Sequence, residues 1–177
     1  MVAILMRGVV KICCLTPILG LGWFLGGCAT GSQGVGDYVP TVQESGRVRW
    51  TQPSGDRLVA DVTFTRDEGP AAALLVGKEV TMLQLLRQGN ELQAQGRFVR
   101  GGWRGSVQQA PRPLSDWTAL LQAWETVQRM PEGRQELHTG NYRVSFEQAG
   151  GRLAGFHVVV NNSGSEFTVQ MHRPRGF

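Results

Sequence analysis

Few residues in this chain have a type and spacing that could do chemistry. The three histidines, His138, His157 and His172, lack the spacing of metal ligands. A nucleophile elbow needs Gly-x-Ser-x-Gly; Gly105-Ser106-Val107 has no second glycine in place, and Ser163-Gly164-Ser165 follows a turn. Asp61, Asp67 and Glu68 are close enough in sequence to pair as carboxylates. Asp67 and Glu68, however, fall in the turn Arg66-Asp67-Glu68-Gly69-Pro70, where such residues serve solvation. Neither a phosphate-binding Walker sequence nor a dinucleotide fingerprint occurs. The reading is of a protein that is not an enzyme and binds no metal. Gly96-Arg97-Phe98-Val99-Arg100-Gly101-Gly102-Trp103-Arg104-Gly105 leaves two alternatives. Its arginines and aromatics could meet a phosphate, in this case a lipid head group, or the segment is a strand end with outward arginines and a glycine bend.

The remaining reactive side chain is the thiol of Cys28. Arg7 and Lys11 form a small basic region, followed by an uncharged apolar stretch from Ile12 to Leu25. That stretch is short for a membrane-spanning helix and suits a secretory signal. It closes on Leu25-Gly26-Gly27-Cys28, which resembles the lipobox of bacterial lipoproteins, with Gly26 standing where Ala or Ser is commoner. The resemblance implies cleavage before Cys28. It also implies a diacylglycerol thioether and an N-acyl chain on that residue as the sole covalent additions, with no other cofactor. Acyl chains contribute about 0.8 kcal/mol per buried methylene, so two or three make a stable anchor. Ala29 stands where Asp would signal inner-membrane retention, so the resemblance implies the outer membrane, facing the periplasm. Cys13 and Cys14 leave with the signal, and no disulfide framework remains.

The whole chain has 177 residues, with 18 Lys plus Arg against 14 Asp plus Glu, a formal charge of +4. That excess is too small and scattered to point to nucleic acid. With 41% hydrophobic and 18% charged residues it is a chain that builds a core. Its 24 glycines and 8 prolines imply many turns between short strands. Three regions follow: a signal over residues 1–27, the lipidated cysteine and a flexible tether over 28–45, and one folded, monomeric domain over 46–177. A coil the length of the tether spans roughly 20–25 Å, enough to hold a domain just off a membrane.

Within that domain the dominant hydrophobic period is two. Arg47 to Trp50 alternates, and Leu58, Ala60, Val62 and Phe64 share one face against Asp61, Thr63 and Thr65. Further strands are expected over Ala71–Val76, Val80–Leu86, Glu91–Val99 and Trp103–Val107. Leu114 to Arg129 breaks the pattern: Trp117, Leu120, Leu121, Trp124 and Val127 line one face of an amphipathic helix. Ser115 or Asp116 is expected to cap it, and Pro131 with Gly133 to stop it. Alternation returns at Tyr142, Val144 and Phe146, and Gly150-Gly151 reads as a hairpin turn into Arg152–Val160. Phe167, Val169 and Met171 form the last strand. The expected fold is mainly β (α+β): a curved antiparallel half-barrel of about seven to nine strands, covered by one helix. Its inward positions, and so its candidate cavity residues, are Val62, Phe64, Trp117, Leu121, Trp124, Phe146, Val158 and Phe167.

This order of parts resembles the lipoprotein acceptor LolB and the LolA-like lipoproteins. The matching segments are the lipobox, Leu58-Val59-Ala60-Asp61-Val62-Thr63-Phe64, and Pro113-Leu114-Ser115-Asp116-Trp117-Thr118-Ala119-Leu120-Leu121-Gln122-Ala123-Trp124. The loop after Phe64 carries no leucine like the one that tips LolB's protruding loop. The resemblance implies a cavity between sheet and helix that holds the acyl chains of lipids or lipoproteins. The alternative is a filled core whose surface docks an envelope protein. Cys28→Ser is expected to abolish metabolic labelling with radioactive palmitate and leave an unprocessed or soluble precursor.

Overall fold

The computed structural model describes residues 40–172 except 78, 131–134 and 150–151. Cys28, the expected turn at Gly150-Gly151 and the expected helix stop at Pro131 and Gly133 lie outside the described residues. Ten strands form one antiparallel sheet. They are β1 Val42–Thr51, β2 Arg57–Arg66, β3 Ala71–Val76, β4 Leu83–Gln88, β5 Glu91–Gln95, β6 Trp103–Ser106, β7 Glu136–His138, β8 Tyr142–Ala149, β9 Arg152–Val160 and β10 Glu166–Met171. The order across the sheet is β6-β5-β4-β3-β2-β1-β10-β9-β8-β7, so the first and last strands pair at its middle. The helix α1, Leu114–Gln128, connects β6 to β7, the two free edges. A connection between opposite edges has to cross one face of the sheet, which places α1 over the core.

Two neighbouring helix residues show how far the sheet curls. Glu125 pairs with Arg87 on β4, and Thr126 meets the Tyr142 hydroxyl on β8 at 2.9 Å. In a flat sheet six strand spacings would separate β4 from β8 by about 29 Å, while a helix with its side chains is only about 10–12 Å wide. The sheet therefore wraps round the helix. This is the half-barrel expected from sequence, with ten strands rather than seven to nine. The additional strand is β7, three residues long with only Leu137 half-buried, too short to leave a period-two signal.

Other boundaries move as well. β1 begins at Val42, four residues before the domain boundary read at 46, because Gln43-Glu44-Ser45 looks like linker by composition. β4 begins at Leu83, and Val80 lies exposed before it. β5 ends at Gln95; Phe98 sits in the following bend and packs on the core. Pro113 occupies the helix cap with no side-chain hydrogen bond, so neither Ser115 nor Asp116 caps α1. Asp116 is buried instead and accepts a hydrogen bond from Ser165 Oγ at 2.8 Å.

All eight residues named as inward are buried. They pack mostly on one another. Near the start of α1, Trp117 lies 5.3 Å from Trp50 and 4.9 Å, edge-on, from Phe167, and Phe98 closes the group. Further along, Trp124 stacks on Phe64 at 5.1 Å, and Phe64 meets Phe156 at 5.8 Å. The indole N–H groups of Trp50 and Trp117 are buried without an acceptor. Each costs about 1–3 kcal/mol. Two buried indoles offset this, since each removes about 150–250 Å² from water at roughly 25 cal/mol per Å².

Polar groups fix where the helix sits. Asp116–Ser165 holds its first turn. Arg87 Nη2 reaches both carboxylate oxygens of Glu125, at 2.5 and 2.7 Å, with both side chains largely buried. Glu44 on β1 accepts hydrogen bonds from Trp124 Nε1 at 2.8 Å and Gln128 Nε2 at 2.6 Å. A buried ion pair contributes little net stability but is costly to break by halves.

Two outcomes follow for urea unfolding. Trp124→Ala should lose about 3–5 kcal/mol, the cost of deleting a fully buried tryptophan. Glu125→Ala should lose a similar amount, about 3–5 kcal/mol, by leaving Arg87 buried and unpaired, whereas Arg87→Met with Glu125→Leu should recover most of it.

Candidate functional site

A large recess lies at the C-terminal end of α1, between the helix and the ends of β1, β8, β9 and β10. The sheet opens there for local reasons. On β1 the alternation that buries Val48 and Trp50 also turns Gly46 and Glu44 inward, opposite Val62 and Phe64 of β2. Gly46 has no room for a side chain, since a Cβ would overlap the Gln170 carbonyl of β10. A Cβ at Gly155 of β9 would likewise stand 2.6 Å from the Val169 carbonyl. Both glycines therefore let β10 lie close to its neighbours. A bulge between β8 and β9 pairs Glu147 with Gly155 but Gln148 with Leu153. The extra residue, Ala154, flips the alternation and brings Leu153 against the core.

The inner lining is thus Val127 from α1, Met130 from the bend just after it, Phe146 from β8, Leu153 and Phe156 from β9, and Met171 from β10. Methionine suits such a surface because its unbranched thioether adapts to irregular shapes. The volume is about 1620 Å³, above the roughly 300–1,000 Å³ of common small-molecule sites. Ser145, His157 and Thr168, on the opposite face of their strands, also contribute. Part of that volume therefore lies outside the half-barrel. Glu44, Gln128 and Gln148, the last in phase with Phe146 and paired with Leu153, supply the polar groups on the inner side.

The recess lies where the chain enters and leaves the sheet. Thr41 N–H donates to Arg66 at the start of β1, and His172 N–H donates to Ser45 just after β10. The Arg97–Arg104 segment belongs to the opposite end, since its Phe98 packs on Trp50 and Trp117 near the start of the helix. Its residues 97–102 form a bend between β5 and β6, with Arg97 and Arg100 exposed, while Arg104 on β6 faces Glu91 at 3.3 Å.

The residues considered for chemistry do not converge. His138 lies 3.1 Å from Glu136 on the edge strand β7, and His157 lies 3.8 Å from Glu166. His172 is exposed at the recess. Asp61 pairs loosely with Arg47 at 3.8 Å, while Asp67 Oδ1 accepts from the Ala71 N–H and so closes the turn in which it stands. Among the described residues no three His, Cys, Asp or Glu side chains are grouped to hold a metal ion. A smaller cleft of about 440 Å³ lies beside Arg87, Glu125, Arg129 and Tyr142. Burial pushes the Tyr142 hydroxyl above the ordinary phenol range; the Thr126 hydrogen bond opposes the shift and the Glu125 charge adds to it. Tyr142 therefore stays neutral and serves the helix contact.

Of the eight candidate cavity residues, Phe146 alone lines the recess; the other seven are interior packing. Glu44, Leu153 and Met130 were missed. Glu44 reads by composition as tether, although it lies in phase with Val48 and Trp50. Leu153 is inward only because of the bulge, and Met130 lies beyond the helical stripe. No helix among the described residues is long and apolar enough to cross a membrane.

No family model matches the chain, and no curated protein matches it. Among solved structures, those similar to it include a LolA superfamily protein from Nitrosomonas europaea. That protein is 8% identical, with a TM-score of 0.39, over 74% of this chain and 83% of its own.

Proposed function

We propose that this is an envelope lipoprotein that binds a lipid acyl chain, or the acyl part of lipoproteins, as a carrier or acceptor. Cys28 carries the diacylglycerol and N-acyl groups that hold it on the periplasmic side of the outer membrane. Its chemistry is binding rather than catalysis. The observation that carries the proposal is the recess at the end of α1, where the apolar inner surface reaches solvent through Met130, Leu153, Phe146 and Met171. A buried chain of about 14–16 carbons contributes on the order of 10 kcal/mol before ordering costs. The centre of the half-barrel is occupied by its own aromatics, which moves the ligand from the middle of the sheet to this end.

That filled centre also favours a second reading: an interaction lipoprotein whose packed domain docks an envelope protein. Titration with a neutral, fluorescent sixteen-carbon acyl amide separates the two. The carrier reading expects saturable binding that Leu153→Glu and Met171→Glu each weaken by about tenfold or more. Both positions are half-buried at the recess, so these variants should keep the fold, whereas a charge at the fully buried Phe64 would not. Binding that is absent, or indifferent to both variants, favours the docking reading.

A further inference from the structure

We infer that Glu44 selects among acyl ligands, admitting chains whose head group is uncharged or cationic and donates a hydrogen bond, and rejecting free fatty-acid anions. This rests on the reading of the recess as an acyl site and adds its specificity.

Glu44 is an unusual residue for its position. It stands on the inward face of β1, opposite Phe64, among apolar neighbours. Its Oε2 accepts both hydrogen bonds from the helix, from Trp124 Nε1 and Gln128 Nε2. Oε1 has no hydrogen-bond partner among the described residues, and the side chain lines the recess. An ionised carboxylate is acceptor-only, with more lone pairs than these two bonds use. A ligand amide, hydroxyl or ammonium group can donate to Oε1. A ligand carboxylate brings a second negative charge to a partly desolvated site, where like charges strongly disfavour ionisation.

The other titratable groups that line the recess among the described residues, Glu147, Arg152, His157 and His172, stand at its rim or on the outer face of their strands. Glu147 and Arg152 lie exposed at the rim near the β8–β9 bulge and carry opposite charges. His157 faces Glu166 on the outer side of the sheet. The two donors on Glu44 come from the helix that bounds the recess, so its carboxylate is held in place before a ligand arrives. Trp124 and Gln128 thereby act as positioning residues for the acceptor oxygen.

The test uses residues 29–177, which keep every described residue, and three sixteen-carbon probes: hexadecanoate, its methyl ester and its ethanolamide. Dissociation constants are measured by calorimetry at pH 8, below the micellar concentration of each probe. The ethanolamide should bind at least about tenfold more tightly than hexadecanoate, with the ester between them. Glu44→Gln, which can keep both helix hydrogen bonds through its amide oxygen, should shrink that ratio to about threefold or less, chiefly by improving hexadecanoate. A wild-type ratio near one overturns the selectivity and leaves the acyl site standing; this arm needs no variant. A ratio unchanged in folded Glu44→Gln also overturns it. Failure of all three probes to bind overturns the selectivity and the acyl reading together.

Discussion

One helix must cover the inner face of a ten-stranded sheet, and it is too short to do so. Fifteen residues give about 22 Å of helix, while ten strands laid flat would span more than about 40 Å. Curling brings β4 and β8 to the same helix turn and solves the problem across the strands. It does not solve it along them. The aromatic residues needed to fill the space, Trp50, Phe98, Trp117 and Phe167 at one end and Phe64, Trp124 and Phe156 farther along, run out before the helix does. The uncovered remainder is the recess beside Val127 and Met130.

The polar contacts decide which remainder is left open. Apolar packing alone would let α1 slide or rotate over a surface of similar side chains. Asp116 to Ser165, Glu125 to Arg87, and Trp124 with Gln128 to Glu44 fix it at three points along its length, from the residue before β10, from β4 and from β1. Each contact is directional and at least partly shielded from water, so a shifted helix would leave partly or fully buried groups unpaired. The last contact also places a carboxylate at the mouth of the recess. One residue thus serves the position of the lid and the chemistry of the opening.

Most of the apolar architecture was legible in the sequence, because burial of one face writes a period into each element. The stripe Trp117, Leu120, Leu121, Trp124 and the alternation Val62, Phe64 or Tyr142, Val144, Phe146 lead directly to the core. The polar pegs were not legible. Arg87, Glu125 and Glu44 look like ordinary surface charges, and their partners lie 38 to 84 positions away. Glu44 was hidden further by a Gly/Ser/Thr-rich neighbourhood that reads as linker. The bulge at Ala154 and the three-residue strand β7 depend on pairing across the sheet, which no local pattern records. The candidate site was therefore placed at the centre, where hydrophobicity is greatest, when the residues at the centre are satisfied by one another.

The central claim is that the domain has a packed middle and an open, ligand-accepting end. A crystal structure of residues 29–177 grown with hexadecanoyl ethanolamide tests it most directly. Acyl density is expected between α1 and β8–β10, against Met130, Leu153 and Met171. The head group should lie within hydrogen-bond distance of Glu44, and the Trp50, Trp117 and Phe167 cluster should be undisturbed. Acyl density between Trp117 or Trp124 and the sheet, with α1 lifted away, would contradict it.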